Sequence, residues 1–361
     1  MNKRILYITS DPWWDTDVTI IPQLSQDNDL HVNVLSLVDE NSNKYRTKTV
    51  PVGVFLHEYK TMRSIKDIRY ILFSLWYALK LIILNRRYDY TIWILDSNII
   101  YSFILALFCD KKKTIVSMHN YLEHTGTKRW LSLAKKIIIS QIKLFHFHSK
   151  RQESIFKNDY PNKHTFSTEM TPKGFGLPSR SFDTHTPKIF LFFGFICDYK
   201  RLDMFIKSSN KYYEKADFII AGNCQDWSRY KKLIDKRNSI KCDIRFIANE
   251  EIPDLFSSAS FIVLPYDDAT QSGPLLTAYY YNLPIIASDG DYFRNMISDK
   301  KDGFLFETGN QDALNEAISK CINLDEKEYV EMKKNLHRRV ETYTQNADFS
   351  RYFVEFINSI Q

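Results

Sequence analysis

The sequence predicts an α/β protein of two doubly wound, parallel-sheet, Rossmann-like domains. Its 361 residues exceed what one hydrophobic core usually serves, so two domains are expected. Short apolar and β-branched runs alternate with segments long enough for helices, which is typical of βα units on a parallel sheet. This alternation stops at a stretch rich in proline and glycine and then restarts. We therefore expect one sheet on each side of that stretch.

The N-terminal domain is predicted to cover residues 1–172. Its strands are predicted where short runs of Val, Ile, Leu and Tyr occur, at 4–9, 31–37, 90–95 and 113–118. The chain enters the first of these strands almost at once, with no long apolar signal segment before it. Secretion is therefore not expected.

The C-terminal domain is predicted over residues 187–335, after a linker that contains Pro172, Gly174, Gly176 and Pro178. Its strands are predicted at 188–193, 217–221, 243–247, 261–264 and 284–287. The remaining residues, 336–361, are charged and helical in period. We expect them to form a helix that packs back towards the N-terminal domain.

The composition disfavours several classes of protein. A net charge of +6 without a concentrated basic stripe does not fit a nucleic-acid-binding protein, whereas an anionic membrane surface or a phosphorylated substrate fits better. The five cysteines are scattered and lack metal-ligand spacing, so we predict neither a disulfide framework nor a zinc site. A reducing cytoplasm is the simplest location.

Two segments combine apolar runs with basic residues and are candidates for membrane contact. In residues 63–87, Lys80 interrupts the apolar run before the roughly 20 residues that a bilayer requires, so we do not expect this segment to span. In residues 128–150, Lys135, Lys136 and Lys143 are mixed with Ile and Leu. Attachment to the membrane interface and burial with snorkelling ends are both open.

The strongest local signal is the polar turn from Thr270 to Gly273. A predicted strand ends at Leu264 before it, and a helix is predicted to begin near Pro274. This order places the backbone N–H groups of Ser272 and Gly273 beyond the carboxyl end of a parallel strand, where phosphate binds well. Such turns are also common without a ligand, so this segment does not decide the function by itself.

The order of these signatures resembles that of the retaining glycosyltransferases of family four, also called glycosyl transferases group 1. The resemblance covers most of the chain and is strongest over residues 190–317. It implies the GT-B architecture, in which two Rossmann-like domains face each other across a cleft. It also implies a nucleotide-diphosphate sugar as the donor, and no metal or other cofactor.

The stretch that begins at Phe193 resembles the family's strand and glycine loop, followed by a lysine that contacts the donor diphosphate. Gly194 and Lys200 occupy the matching positions. The family often has an arginine directly after the glycine, where this chain has Phe195, and a glycine after the lysine, where it has Arg201. Arg201 is therefore a candidate for the missing cation.

The resemblance also assigns residues to the nucleobase and to the donor sugar. Ile247 and its neighbours are expected to line the nucleobase pocket. Typical members carry two glutamates eight positions apart, where this chain has Ala269 and Thr277. The Thr-Gln-Ser-Gly variant resembles a subgroup that replaces these carboxylates. It implies donor-binding roles for Gln271, Ser272, Gly273 and Thr277 and leaves the sugar open.

In the first domain, His119 ends a predicted strand and matches a histidine that the family places beside the reacting centre. The resemblance therefore implies catalytic roles for His119 and Lys200, although a lone histidine at a strand end is more often structural. Acceptor contacts are expected from His124, Trp13 and Trp14. For the two tryptophans, stacking on a sugar or lipid and packing at the domain edge are equally open.

Asp15 and Asp17 lie in the same N-terminal loop as the two tryptophans. We interpret them as a solvated acidic turn rather than as a metal site.

The sequence thus predicts a retaining, hexosyl-type glycosyltransferase that acts on a glycan or lipid-linked acceptor in cell-surface polysaccharide biosynthesis. The leaving diphosphate can take the acceptor's proton, so no strong base is needed. A nucleotide-sugar-binding scaffold without transferase activity is the main alternative, because of Ala269 and Thr277. A nicotinamide dehydrogenase is disfavoured because no Gly-x-Gly-x-x-Gly turn follows the first strand. A GT-B epimerase would need acidic and basic groups around the sugar that we do not find.

Overall fold

A computed structural model describes residues 3–27, 29–39, 50–61, 68–95, 99–119, 121, 129–181 and 188–360. The chain divides into two compact units. Unit 1 contains Met1–Thr171 and Asn346–Gln361, and unit 2 contains Pro172–Gln345. Each unit is built on a parallel sheet of its own, so the predicted fold class of two α/β units is confirmed.

Unit 1 has a seven-stranded parallel sheet in the order β3-β2-β1-β4-β5-β6-β7. Its strands are β1 Lys3–Ser10, β2 Leu30–Asp39, β3 Phe55–Thr61, β4 Tyr90–Ile94, β5 Thr114–Met118, β6 Leu144–Phe147 and β7 His164–Ser167. Strands β4, β5 and β6 are buried throughout, as expected of strands covered on both faces. The strand order reverses between β1 and β4, and this reversal is where doubly wound sheets usually form their sites.

Five helices connect these strands: α1 Trp14–Gln26, α2 Ile68–Arg87, α3 Ile99–Phe108, α4 Arg129–Gln141 and α5 Lys150–Asp159. Helices α2, α3 and α4 share one hydrophobic cluster, to which they contribute Tyr77, Leu105 and Ile138. Helix α1 packs in a separate cluster through Ile21 and Leu24.

Unit 2 has a six-stranded parallel sheet in the order β10-β9-β8-β11-β12-β13. Its strands are β8 Ile189–Phe193, β9 Asp217–Ala221, β10 Lys241–Asp243, β11 Phe261–Leu264, β12 Ile285–Ser288 and β13 Gly303–Phe306. The reversal in this sheet lies between β8 and β11. The strand predicted at 243–247 overlaps the observed β10 only at Asp243, and beyond it Arg245 pairs with Glu251 and Asp243.

The helices of unit 2 are α6 Leu202–Tyr212, α7 Trp227–Lys231, α8 Ile252–Ser258, α9 Gly273–Tyr280, α10 Asp291–Met296, α11 Gln311–Asn323 and α12 Glu326–Gln345. The stretch predicted as a linker packs against α9. The backbone N–H of Phe175 donates to the Tyr281 hydroxyl at 3.0 Å, and Gly174 lies directly against the ring of Tyr280.

The last helix, α13 Phe349–Ser359, belongs to unit 1. Phe349, Phe353 and Phe356 recur at helical spacing and are buried in the cluster that also holds α1. The backbone N–H of Phe349 donates to the side chain of Gln23 at 2.6 Å. The preceding helix α12 stays in unit 2 up to Gln345, so the chain returns later than residue 336, where the sequence places the start of the final segment.

Candidate functional site

Two glycines end neighbouring strands of unit 2 and bring their backbones into contact. Gly194 follows β8 with φ +106°, and Gly222 follows β9 with φ +151°. A β-carbon on Gly222 would lie 1.9 Å from the carbonyl oxygen of Gly194, which leaves no room for a side chain. The N–H of Gly194 donates to the carbonyl of Ala221 at 2.9 Å. Glycine is therefore required here for both conformation and space.

Lys200 lies over this strand end. It closes the 3-10 turn Asp198–Lys200, and it is only 7% exposed. Its Nζ would lie 3.3 Å from a β-carbon on Gly194, and it lies 5.4 Å from the centroid of the Tyr266 ring. Burial lowers the pKa of Lys200, and no salt bridge engages this ammonium in the described part of the chain. Such a buried cation is costly alone and gains from an anion beside it.

The start of α9 meets the same point. A β-carbon on Gly194 would lie 3.5 Å from Cγ of Pro274, the residue after the first residue of α9. Ser272 is the N-cap, and its Oγ accepts from the N–H of Leu275 at 3.3 Å. Gly273 is exposed, with no described atom within 4 Å of where its β-carbon would be. The structure therefore brings Gly194, Lys200 and the N-terminus of α9 together, an arrangement suited to an anion.

Arg201 differs from the expectation that it supplies a second cation. Its guanidinium donates to Asp203 at 3.0 Å and to Asp267 at 2.8 Å, and these hydrogen bonds raise the pKa of Arg201. A diphosphate would have to compete with two carboxylates for it. The backbone of Arg201 is left-handed, with φ 51°, a conformation that glycine adopts most easily. This explains why the resembling family often has glycine at this position.

The remaining predicted donor residues of unit 2 are Thr277, Gln271 and Ile247. Thr277 is buried, and its hydroxyl donates back to the Gly273 carbonyl at 3.0 Å, so it does not take the place of the glutamate that the family has there. Gln271 is half-buried in the turn before α9. Ile247 is buried beyond β10, which is two strands from β8 in the sheet.

In unit 1, His119 follows β5 and lies between two other aromatic rings. Its ring stacks on Trp13, with centroids 4.0 Å apart and an interplanar angle of 8°. On its other side it stacks on His148, at 4.2 Å and 24°. Trp13 belongs to the 3-10 turn Asp11–Trp13 after β1, so the stack joins the carboxyl ends of separated strands.

A buried chain of hydrogen bonds continues from this stack. The hydroxyl of Ser117 lies 3.3 Å from Nε2 of His148 and 2.8 Å from Nδ1 of His146. Nε2 of His146 lies 2.8 Å from the hydroxyl of Thr168. His146 and His148 alternate around Phe147, so both point to the same face of the sheet as His119. These two histidines were not predicted from the sequence, although their alternation on a strand was the available signal.

All three histidines are neutral at physiological pH. Burial, together with a smaller effect of neighbouring His146, lowers the pKa of His119 to about 3. Burial also holds the pKa values of His146 and His148 well below their usual range. Nε2 of His119 is buried without a hydrogen-bond partner among the described residues. An imidazole that is neutral and has a ring nitrogen unsatisfied can accept or donate one hydrogen bond to a ligand.

Three other expectations for unit 1 have different outcomes. Trp14 is 4% exposed and packs in the core with α1, so its ring is not available to stack on a sugar. Asp17 is not in a solvated turn: it is buried in α1 and accepts hydrogen bonds from the hydroxyls of Tyr7 and Thr9. His124 lies outside the described residues.

The comparison with protein families finds a similarity in the second half of the chain. Residues 179–339 match the profile of the family described as glycosyl transferases group 1. Most of unit 2 is therefore similar to the glycosyl transferases group 1 family. The matched range contains Gly194, Lys200 and the start of α9, so the anion site described above lies within the part of the chain that is similar to this family.

Solved structures extend the likeness to the whole chain. Sucrose-phosphate synthase from Thermosynechococcus elongatus has a TM-score of 0.71 at 12% identity, with 99% of this chain and 97% of that chain covered. Anabaena HepE in complex with UDP and glucose has a TM-score of 0.72 at 14% identity, covering 99% and 100%. A glycosyltransferase from Rickettsia africae has 0.70 at 12%, covering 99% and 98%. The chain therefore has the GT-B fold.

Two further observations complete the comparison. No curated protein sequence matches this chain. Among the described residues, no group of three or more His, Cys, Asp or Glu side chains is placed to hold a metal ion.

Proposed function

We propose that this protein is a glycosyltransferase that moves a hexosyl group from a nucleotide-diphosphate sugar to a glycan or lipid-linked acceptor, with retention of configuration. One observation carries the proposal: the buried ammonium of Lys200 and the N-terminus of α9 meet at Gly194, inside the range that matches the glycosyl transferases group 1 family. A cation and helix N–H groups at the carboxyl end of a parallel sheet are the elements that bind a diphosphate.

The reaction follows from placing the donor's diphosphate at this site. The bond between the sugar's anomeric carbon and the phosphate oxygen breaks, and the acceptor oxygen forms a new bond to that carbon on the same face. The acceptor's proton passes to the leaving phosphate oxygen. Lys200 and the N–H groups of Ser272 and Gly273 stabilise the charge that develops on the phosphate. No protein side chain has to act as a strong base.

His119 is assigned to the reacting centre as a hydrogen-bonding group rather than as an acid. Its low pKa keeps the imidazole neutral, and the rings of Trp13 and His148 hold its orientation. In this assignment the unsatisfied Nε2 contacts a hydroxyl of the donor sugar or the acceptor. Trp13 shapes the same region, and His124 is retained as a candidate acceptor contact.

Several finer features belong to the same proposal. HepE is a structural neighbour in complex with UDP and glucose, so UDP-sugars are the first donors to test. Gln271 and Ile247 are retained as candidate contacts to the donor's sugar and base, and Thr277 as a residue that supports the start of α9 through its hydrogen bond to the Gly273 carbonyl. We propose that transfer needs no metal or other cofactor, takes place in the cytoplasm, at the inner face of the membrane, and serves cell-surface polysaccharide biosynthesis.

A second candidate is a nucleotide-sugar-binding subunit without transferase activity. The observation that favours it is the loss of the acidic pair: Ala269 is buried, and the Thr277 hydroxyl is bonded to its own helix at Gly273. A site without these carboxylates could bind the diphosphate and fail to orient the sugar.

Nucleotide release distinguishes the two candidates. The purified chain is incubated with UDP- and GDP-sugars, with EDTA and with added metal, and the released nucleotide is measured. We expect slow release that does not depend on metal, is lost in Lys200→Ala and is retained in Lys211→Ala, a control on the exposed side of α6. Binding without release in every condition would support the scaffold. Absence of any nucleotide binding would refute both.

A further inference from the structure

The outer face of α2 is apolar. Six large side chains recur at intervals of three, four or one residue on this helix, so they fall on one side of it. Each is between 41% and 64% exposed: Ile68, Leu72, Leu75, Trp76, Leu79 and Ile83. We call this set the α2 stripe. The opposite face of α2, which includes Tyr77, Ala78 and Leu81, is buried in the core of unit 1.

Exposed apolar side chains continue on the two neighbouring helices. Phe108 is exposed at the end of α3, and Leu133 is exposed on α4. Helix α3 contacts both α2 and α4. The apolar surface therefore extends across three adjacent helices, which exceeds the scattered exposure that is normal for a soluble surface.

Basic residues border this surface at one end. The C-termini of the three helices meet there, because Asn85 accepts from the N–H of Asp110 at 2.8 Å and Lys111 donates to Gln141 at 3.0 Å. We call the exposed and half-buried cations at this end the basic rim: Arg86, Arg87, Lys111, Lys112 and Lys143.

Asp110, which lies beside the basic rim, accepts from the backbone N–H of Lys112 at 3.0 Å and lies 4.0 Å from Nζ of Lys113. The helices that end at the rim add no acidic charge. The sequences of α2, α3 and α4 contain no Asp or Glu. Lys143 and Lys111 lie near enough to Lys163 to help lower its pKa, after the effect of burial. Like charges held together in this way gain from contact with an anionic surface.

We propose that unit 1 docks on an anionic lipid bilayer, with the α2 stripe in the headgroup and acyl boundary and the basic rim on lipid phosphates. The pairing of an apolar face with basic residues is that of an interfacial helix, and Trp76 adds a side chain favoured at that depth. This docking does not depend on glycosyl transfer.

The helix lies on the bilayer rather than across it. By length and composition alone α2 could span, despite Lys80, with a mean hydropathy of 1.4 and 39% of the window buried. Asn85, however, is fully buried and donates to the hydroxyls of Thr91 and Thr114 at 2.8 Å. Spanning would break these bonds and strip Tyr77 and Leu81 from the core of unit 1.

A second copy of this chain is a poorer occupant than lipid. A two-fold interface would set each patch against its own equivalent. Because α2, α3 and α4 carry no acidic residue, such pairing would bring basic residues towards basic residues, whereas anionic headgroups complement them.

Vesicle binding of the full chain tests the proposal. We expect co-sedimentation with phosphatidylcholine vesicles that contain phosphatidylglycerol, and little with phosphatidylcholine alone. Leu72→Ser/Leu79→Ser should weaken binding roughly tenfold or more, because it removes buried apolar area. Arg86→Gln/Arg87→Gln should weaken it about fivefold per charge, increasingly so at low salt.

Matched controls lie on unit 2. Leu177→Ser/Leu233→Ser removes two exposed leucines, and Lys231→Gln/Lys232→Gln removes two adjacent exposed lysines. Both should bind like the unaltered protein. Brominated acyl chains should also quench tryptophan fluorescence, and Trp76→Phe should remove most of that quenching.

Three results would overturn the inference. One is equal vesicle binding by the α2-stripe variant and its leucine control. Another is a concentration-dependent dimer that Leu72→Ser/Leu79→Ser dissociates, without vesicle binding. The third is protein that stays with the vesicles after alkaline carbonate extraction, which would indicate a spanning helix. Nucleotide release measured without vesicles separates each of these from a failure of the donor site.

Discussion

Replacing Lys200 with methionine should separate donor binding from folding. Methionine keeps most of the side chain's length and apolar stem while removing the ammonium. Lys200 is 7% exposed and has no salt bridge in the described part of the chain. Desolvation of its ammonium therefore lowers the stability of the folded state, and no described carboxylate offsets this cost. We therefore expect the thermal stability of the variant without ligand to be unchanged or higher.

Donor affinity should fall at the same time. A hydrogen bond between an ammonium and a phosphate contributes about 1.5–3 kcal/mol, so the dissociation constant of UDP should rise about 10- to 150-fold. The lowered pKa of Lys200 adds a pH signature. Between that pKa and the unfolded value of about 10.5 the unfolded chain binds more protons, so the stability of the unaltered protein rises with pH. The methionine variant should lack this contribution.

Isothermal titration with UDP and thermal unfolding with and without UDP measure both effects. The UDP-dependent rise in melting temperature should nearly disappear in Lys200→Met, because it reports binding to the native state. Lys211→Met, an exposed lysine on α6, is the control and should bind UDP normally. Unchanged UDP affinity in a folded Lys200→Met protein would refute the assignment of the diphosphate to this site.

Three further predictions concern the surrounding structure. Gly222→Ala should destabilise unit 2 by several kcal/mol in urea unfolding, since its β-carbon would lie 1.9 Å from the Gly194 carbonyl oxygen. Gly290→Ala is the control and should have little effect, because a β-carbon on Gly290 would lie in open space. Because the pKa of His119 falls from about 6.5 unfolded to about 3 folded, protonation of this residue should cost about 1.4 kcal/mol of stability per pH unit between about pH 6 and pH 3. His146 and His148 act in the same direction, so His119→Phe should reduce the slope of stability against pH without abolishing it. Arg201→Gly should change the free energy of unfolding by less than about 1 kcal/mol, because relief of the left-handed backbone offsets the lost ion pairs. A loss of UDP affinity as large as that of Lys200→Met would contradict the pairing of Arg201 with aspartates.

Much of the donor site could be predicted from local sequence. Gly194 lies directly after a strand, and Ser272 and Gly273 lie at a helix start, whereas Lys200 ends the 3-10 turn before α6. Parallel strands direct their carboxyl ends to one edge of the sheet. The alternation of strands and helices therefore placed Gly194 and the start of α9 at this edge, while the donor-binding role of Lys200 was predicted from the family resemblance.

Residues whose role depends on side-chain direction could not be predicted in this way. Thr277 has the spacing of a ligand-binding position, yet its hydroxyl bonds to its own helix. Arg201 follows the lysine as a free cation would, yet Asp203 and Asp267 bind it. Trp13 and Trp14 are adjacent in the sequence, and only Trp13 reaches His119 while Trp14 enters the core. The side chains of consecutive residues point in different directions, and the composition of the loop does not indicate which side chain faces inward.

Local pattern determined the two parallel sheets, the anion-binding turn and the apolar character of the segment that became α2, because backbone propensity and hydrophobic period act over a few residues. The neutral histidine stack and the exposure of the α2 stripe were decided by packing. Trp13, His119 and His148 are far apart in the sequence and meet only when strand order brings their ends together. In the same way, the face of α2 that stays exposed depends on which of its faces packs in the core of unit 1. No short stretch of sequence contains that information.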